Sequence, residues 1–194
     1  MMPEKIQMKD RIIKAAWDLF HEKGYENTTL EDIISAAHIS KGSFYYYFVS
    51  KDALLDTLSV IFDHEYEKLR QSMDLELDSY EKLLFMNNMM HRFIEEKIDR
   101  NLLASLYSTQ LLAKGSSSLL DQNRVYYKLV AEIIEEGQRR GQITKEKSVR
   151  EISKYYSLCE RALISDWCLE KGSYSLSEYS REYLPLMMCA FRDH

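Results

Sequence analysis

The stretch Ser40-Lys41-Gly42-Ser43-Phe44-Tyr45-Tyr46-Tyr47-Phe48 carries the most distinctive chemistry in the chain. Wound as a helix at about 100° per residue, it puts Phe44 and Phe48 on one side with Tyr47 at their edge, and Lys41, Gly42, Ser43, Tyr45 and Tyr46 on the other. A solvated helix face ordinarily holds Glu and Lys. This one holds a cation, a hydroxyl, a bare backbone position and two phenols. Hydroxyls and phenols hydrogen-bond phosphate oxygens, lysine neutralises them, and glycine permits close approach to a groove. Arg, Asn and Gln are absent from this helix, so no bidentate pairing with a particular base follows from it. The competing reading of these residues is an aromatic-rich packing helix.

Other chemistry is thinly supported. His64-Glu65 lacks a second histidine four residues on, and none of the five histidines has a glutamate three residues before it, which removes the helical zinc and di-iron spacings. No phosphate-binding glycine loop and no Gly-x-Ser-x-Gly elbow occurs. Cys159, Cys168 and Cys189 form no Cys-x-x-Cys pair and are expected to be reduced core thiols. Neither catalysis, nor a metal, nor a cofactor is expected.

The elements that must position these residues are helical. The 194 residues include 6 Gly and 2 Pro, too few turn formers for a sandwich or barrel, and 45% of the chain is hydrophobic, enough for one or two cores. No apolar run approaches the ~18 residues of a membrane span, and the first residues lack an apolar signal core, which predicts a cytoplasmic protein with no membrane partner. Net charge is −5. Residues 1–51 carry 7 basic and 7 acidic side chains and the remainder 19 and 24, so a nucleic-acid face is expected at the N-terminal end. Basic-Gly pairs at Lys23-Gly24, Lys114-Gly115, Arg140-Gly141 and Lys171-Gly172 mark helix ends. Thr28 with Glu31, Asp78 with Glu81, Ser148 with Glu151 and Ser175 with Glu178 mark starts. Between them nine helices and no strand are predicted, at 6–23, 29–36, 41–47, 51–72, 79–99, 102–113, 119–140, 148–171 and 176–192. Gly115-Ser-Ser-Ser118 is a polar loop. The first three helices are short, with a tight turn at Ala37-His38-Ile39 that fits helix-turn-helix. The helix from Lys51 is predicted to be the only link between the two regions. The domains are therefore placed at 1–50 and 51–194.

Residues 9–55 resemble the DNA-binding domain of TetR-type transcriptional regulators. The resemblance rests on Ala15-Ala16-x-x-Leu19-Phe20, Gly24-Tyr25-x-x-Thr28-Thr29, Ile33, the stretch from Ala36 to Phe48, and Ser50-Lys51-Asp52-x-Leu54-Leu55. It departs at His38, where the family carries glycine and a positive φ is commonly needed; histidine tolerates that conformation better than most residues. The resemblance implies an all-α protein with a three-helix helix-turn-helix domain and a larger helical domain for effector binding and dimerisation. It implies that Thr29 touches a phosphate, that Lys41, Gly42, Ser43, Tyr45 and Tyr46 sit on operator DNA, that Tyr47 is divided between packing and contact, and that Lys51 holds a phosphate. Helix amino ends favour anions independently of family.

Beyond residue 55 the resemblance is weaker. It implies a homodimer through the last two long helices, about 148–192. Ile152, Tyr155, Tyr156, Cys159, Leu163 and Trp167 form one stripe there, and Leu158, Ala162 and Leu169 a second side, so that helix needs two partners. Phe85, Met86, Met89, Met90, Phe93, Tyr107, Tyr126 and Tyr127 are ordinary core by their spacing alone. With the resemblance they become the lining expected for a small-molecule effector, to which His91, Glu95 and Glu96 add polarity. The function implied is a ligand-responsive repressor on a palindromic operator. The alternative is a helical protein-interaction adaptor without DNA binding, whose mark would be loss of the basic and phenolic face that this sequence keeps.

Overall fold

The computed structural model describes residues 2–112 and 118–193. Among the described residues nine α-helices follow in order: α1 Met2–Lys23, α2 Leu30–Ala36, α3 Lys41–Tyr47, α4 Thr57–Ser72, α5 Ser79–Lys97, α6 Arg100–Leu112, α7 Val125–Arg140, α8 Val149–Leu169 and α9 Leu176–Met188. The only β-type pairing among the described residues is a single bridge between Ile143 and Arg192. The predicted stop at Lys114-Gly115 and most of the Gly115 to Ser118 loop lie outside the described residues.

Contacts divide the chain into two units, residues 1–60 with 101–119, and residues 61–100 with 120–194. The sequence places its boundary at 50/51 instead. The chain passes between the units three times, at 60/61, 100/101 and 119/120, so the helix after Lys51 is not the sole covalent link. Nor is 51–72 one helix. Asp52–Leu54 is a 3-10 turn, with Leu54 N–H bonding the Lys51 carbonyl at 3.0 Å and Leu55 N–H the Asp52 carbonyl at 2.9 Å. Thr57 Oγ1 donates to the Leu54 carbonyl at 2.6 Å, and this side-chain competition helps delay the regular helix to Thr57. Residues of α6 join the first unit through polar contacts: Gln110 Nε2 reaches Asp56 Oδ1 at 2.8 Å and Ser105 Oγ reaches Glu26 at 3.4 Å.

In the first unit α1, α2 and α3 close on Ile12, Ala16, Phe20, Ile33, Ala37, Phe44 and Phe48, all buried. The cap of α2 lies one residue beyond the predicted one. Thr29, not Thr28, accepts from Asp32 N–H, and Asp32 accepts from Thr29 N–H at 2.7 Å. Thr28 is buried and donates to the Gly24 carbonyl at 2.8 Å, which removes it from the capping position.

In the second unit α5 packs on α7 and α9, and α8 on α7 and α9. Ser148 and Glu151 form the predicted capping box of α8, and the side chains of Asp78 and Ser175 cap α5 and α9. Gly137 permits a close crossing: a Cβ there would lie 2.6 Å from Ile143 Cδ1 and 2.9 Å from Ser79 Cβ. Across the same crossing Gln142 Oε1 accepts from Ser79 N–H at 3.0 Å. Of the three cysteines only Cys159 is buried; Cys168 is half-buried and Cys189 exposed, so the expectation of three core thiols holds for one. Cys189 is exposed because the chain leaves α9 there for a surface 3-10 turn, Cys189–Phe191.

Candidate functional site

The turn before α3 is built as its sequence requires. His38 sits at φ +50°, in the left-handed region where a side chain is strained and glycine is at ease. Ser40 caps α3, accepting from Ser43 N–H at 3.1 Å, and its hydroxyl lies 2.9 Å from that of Ser43. Phe44 and Phe48 are buried on the inner side, whereas Tyr45 and Tyr46 stand 49% and 65% exposed. Tyr47 is half-buried, edge-on to Tyr46 at 4.9 Å. A Cβ on Gly42 would meet nothing closer than Ser40 Oγ at 3.8 Å. Internal packing therefore does not demand this glycine, although it costs about 1 kcal/mol in a helix relative to alanine. Close approach of an outside surface would account for it.

The charged members are tethered. Lys41 Nζ reaches Glu31 Oε1 at 3.3 Å on the surface, and hydrogen bonds at the helix start together with Lys41 lower the Glu31 pKa. Thr29 is exposed, but its hydroxyl donates to Asp32 at 2.6 Å. Lys51 is the most committed: Nζ donates to the carbonyls of Tyr25 at 2.9 Å and Thr28 at 3.0 Å, and lies 4.0 Å from the centre of the Tyr25 ring. Two of its three ammonium donors thus hold the turn between α1 and α2.

The proposed effector residues do not form one set. Met86 and Met90 are fully buried on the inner face of α5, while Phe85, Met89 and Phe93 occupy its half-buried flank. Phe85 lines a groove of about 420 Å³ with Leu184 and Pro185 of α9. Tyr126 is buried and stacks between Tyr66, at 5.0 Å, and Tyr127, at 4.7 Å. Tyr107 belongs to the first unit. Of the polar side chains expected nearby, Glu95 instead accepts from Ser175 and Ser177 at the start of α9, and Glu96 pairs with Arg92 at 2.9 Å.

A polar cluster that sequence reasoning did not assemble lies inside the second unit. Asn87, His91 and Glu160 are 1%, 1% and 5% exposed. Asn87 Nδ2 donates to Glu160 Oε1 at 3.0 Å and lies 3.3 Å from His91 Nε2, and the Tyr126 hydroxyl donates to Glu160 Oε2. Burial lifts the Glu160 carboxyl above its ordinary range against the hydrogen bonds of Tyr126 and Asn87, and burial lowers the His91 pKa to about 3. With Nε2 facing an amide donor, the neutral ring carries its proton on Nδ1. That Nδ1 and Asn87 Oδ1 are buried and have no hydrogen-bond partner among the described residues. An unpaired donor and an unpaired acceptor in one cluster, each costing about 1–3 kcal/mol, form a ready polar seat for a guest molecule or water. Of this cluster the sequence marks His91 and Tyr126, but neither Asn87 nor Glu160. No helix among the described residues is long and apolar enough to cross a membrane, and no three His, Cys, Asp or Glu side chains among them could hold a metal ion.

Residues 12–58 match the model of the family described as bacterial regulatory proteins, tetR family. Over 58 residues the chain is 47% identical to the biofilm operon icaADBC HTH-type negative transcriptional regulator IcaR of Staphylococcus aureus, a match covering 29% of this chain and 31% of that protein. The chain thus matches about a third of the length of that curated relative. Almost the whole chain shares its fold with solved structures. One is Thermus thermophilus FadR, a TetR-family transcriptional repressor in complex with lauroyl-CoA, at 23% identity and a TM-score of 0.73 over 93% of each chain. Another is the regulator FadR of Bacillus subtilis in complex with stearoyl-CoA, at 21% identity and a TM-score of 0.70 over 91% of this chain and 96% of that one. The family likeness in sequence thus lies in residues 12–58, and what the chain shares with the two FadR structures over almost its whole length is the helical fold.

Proposed function

We propose that the protein is a cytoplasmic transcriptional repressor that binds a two-fold symmetric operator as a homodimer and responds to a small molecule held by its second unit. The observation that carries this reading is the outward face of α3, where Tyr45 and Tyr46 stand exposed beside Lys41 and Gly42 while Phe44 and Phe48 anchor the helix from within. Pairing through α8 and α9 is supported by apolar side chains left on their outer surface: Leu158, Leu169 and Leu186 are 54%, 79% and 65% exposed. A dimer presents two copies of α3, so half-sites about 34–36 Å apart, or a multiple, match the groove repeat.

The effector would take the form of an apolar body with a polar end. Met86 and Met90 supply adaptable apolar lining, and the Asn87–His91 pair supplies one free acceptor and one free donor. The acyl-CoA bound to the two FadR proteins has that general form. Effector and operator would then be coupled reciprocally, each changing the other's affinity by the same factor, ~5–150-fold for ~1–3 kcal/mol.

The test is selection from random duplexes followed by titration. An enriched site with approximate two-fold symmetry is expected, and Tyr45→Ala with Tyr46→Ala should weaken it by roughly 2–5 kcal/mol with helix content unchanged. No enriched site, or an asymmetric one, would refute the reading and favour the adaptor alternative.

A further inference from the structure

A groove of about 640 Å³ runs between α7 and α8, within the second unit. Lys128 stands on its α7 side, and Arg150, Lys154 and Arg161 on its α8 side. No Asp or Glu is among the described residues that line it, although residues 52–194 carry 24 acidic side chains against 19 basic ones. None of the four cations forms an ion pair among the described residues, whereas elsewhere in the unit Lys82, Arg92, Arg124 and Arg140 all do. Four like charges on one half-enclosed groove repel one another and destabilise the fold slightly. An anion drawn into it would relieve that repulsion.

The groove is not merely charged. Leu120, Tyr127, Ala131 and Val149 give it an apolar part. Two buried hydroxyls, Ser153 and Ser157, line it from α8; each donates to a backbone carbonyl of its own helix, at 2.8 and 3.0 Å, leaving oxygen lone pairs. Its volume falls in the range of small-molecule sites rather than of flat protein interfaces. The wall is also connected inward: the Tyr127 ring meets that of Tyr126, whose hydroxyl bonds Glu160, and the charge of Arg161 lowers the Glu160 pKa against its burial.

We infer that the α7–α8 groove binds an anionic amphiphile, with a phosphate-type head among Lys128, Arg150, Lys154 and Arg161 and an apolar portion on Tyr127, Ala131 and Val149. Its regulatory consequence, that this molecule is the effector or its anionic end, rests on the effector-responsive reading above; the binding itself does not.

Calorimetric titration of the full chain without DNA tests the binding, with decyl phosphate as probe and decyl maltoside and inorganic phosphate as controls. Decyl phosphate is expected to bind below its micellar concentration, at least about tenfold more tightly than either control. Lys128→Gln with Lys154→Gln takes one exposed cation from each helix and should weaken it at least about tenfold with unfolding unchanged. Ala131→Glu, which places a carboxylate in the groove, should abolish it. No binding of decyl phosphate, equal binding by the lysine variant, or equal affinity for decyl maltoside would overturn the inference. Titration of the selected operator with and without decyl phosphate separates the two readings. Groove-dependent binding that leaves operator affinity unchanged would sustain the site and refute its part in regulation.

Discussion

On α3 of the first unit Tyr45 and Tyr46 carry their hydroxyls at the surface, 49% and 65% exposed, while in the second unit Tyr126 and Tyr156 carry theirs inside, 6% and 0% exposed. The exposed phenols stand where an outside partner can reach them. The buried ones are committed, Tyr126 to Glu160 and Tyr156 to the Leu83 carbonyl at 2.8 Å. Substitutions on the outer face should therefore alter binding and leave stability alone. Substitutions in the inner cluster should move stability, and should do so in a pH-dependent way.

His91 offers the largest test of that contrast. Its pKa in the folded protein is about 3, against an ordinary value of 6.5, because burial opposes the charged ring. A depressed folded pKa contributes stability that is present above pH 6.5. It is lost progressively as pH falls toward 3, since the unfolded chain takes up a proton that the folded one refuses. Glu160, with its raised folded pKa, has the opposite sign: its contribution is present at low pH and lost as pH rises above the ordinary carboxylate range. Comparison with His91→Gln isolates the histidine, because Glu160 is common to both proteins. The stability difference between the two should change by about 1.4 kcal/mol per pH unit between pH 6.5 and 4.5 in denaturant titrations. Tyr45→Phe should show no such difference. A pH-independent difference for His91→Gln would mean that the ring is not buried neutral.

Lys51 tests the boundary between the two kinds of residue. Resemblance assigns it to a phosphate, whereas its ammonium is fixed on the carbonyls of Tyr25 and Thr28. We expect Lys51→Met to destabilise the first unit by about 2 kcal/mol, since hydrogen bonds to a charged group are lost near a buried turn. The log–log salt slope of operator binding should be unaltered. A slope lowered by ~1 per half-site would instead return Lys51 to the DNA backbone.

The two units also differ in how far their chemistry was legible in sequence. The outer face of α3 is consecutive, so one helical projection separates Phe44 and Phe48 from Tyr45 and Tyr46. The position of the α2 cap was missed by one residue because Thr28 and Thr29 are chemically alike and only packing distinguishes them. In the second unit Asn87 and Glu160 are 73 residues apart, and no local spacing announces their bond. Asn87 lies next to Met86 and His91 next to Met90, so an apolar stripe at helical period conceals the polar pair. The groove escaped for the same reason: Lys128 and Lys154 belong to different helices, and each alone is an ordinary surface lysine.

The smallest expected effect returns to the first unit, at His38. Its φ of +50° costs a side-chain-bearing residue about 1–2 kcal/mol relative to glycine, by the clash of Cβ with the following carbonyl. Glycine removes that clash but gives the unfolded chain more freedom, a counter-term of about 0.4–1 kcal/mol. The balance predicts that His38→Gly stabilises the first unit by about 0.5 kcal/mol. His38→Ala keeps the Cβ and loses histidine's tolerance of this conformation, so it should be less stable than either. Because His38 is exposed and its resolved bond is N–H to the Ser35 carbonyl at 3.1 Å, neither change disturbs the core. Denaturant titration of the three proteins should give the order glycine, histidine, alanine, and operator affinity should follow the fraction folded and nothing more. Alanine as stable as glycine would show that the turn is not strained at this residue. A change in operator affinity at full folding would show that the imidazole belongs to the outer face after all.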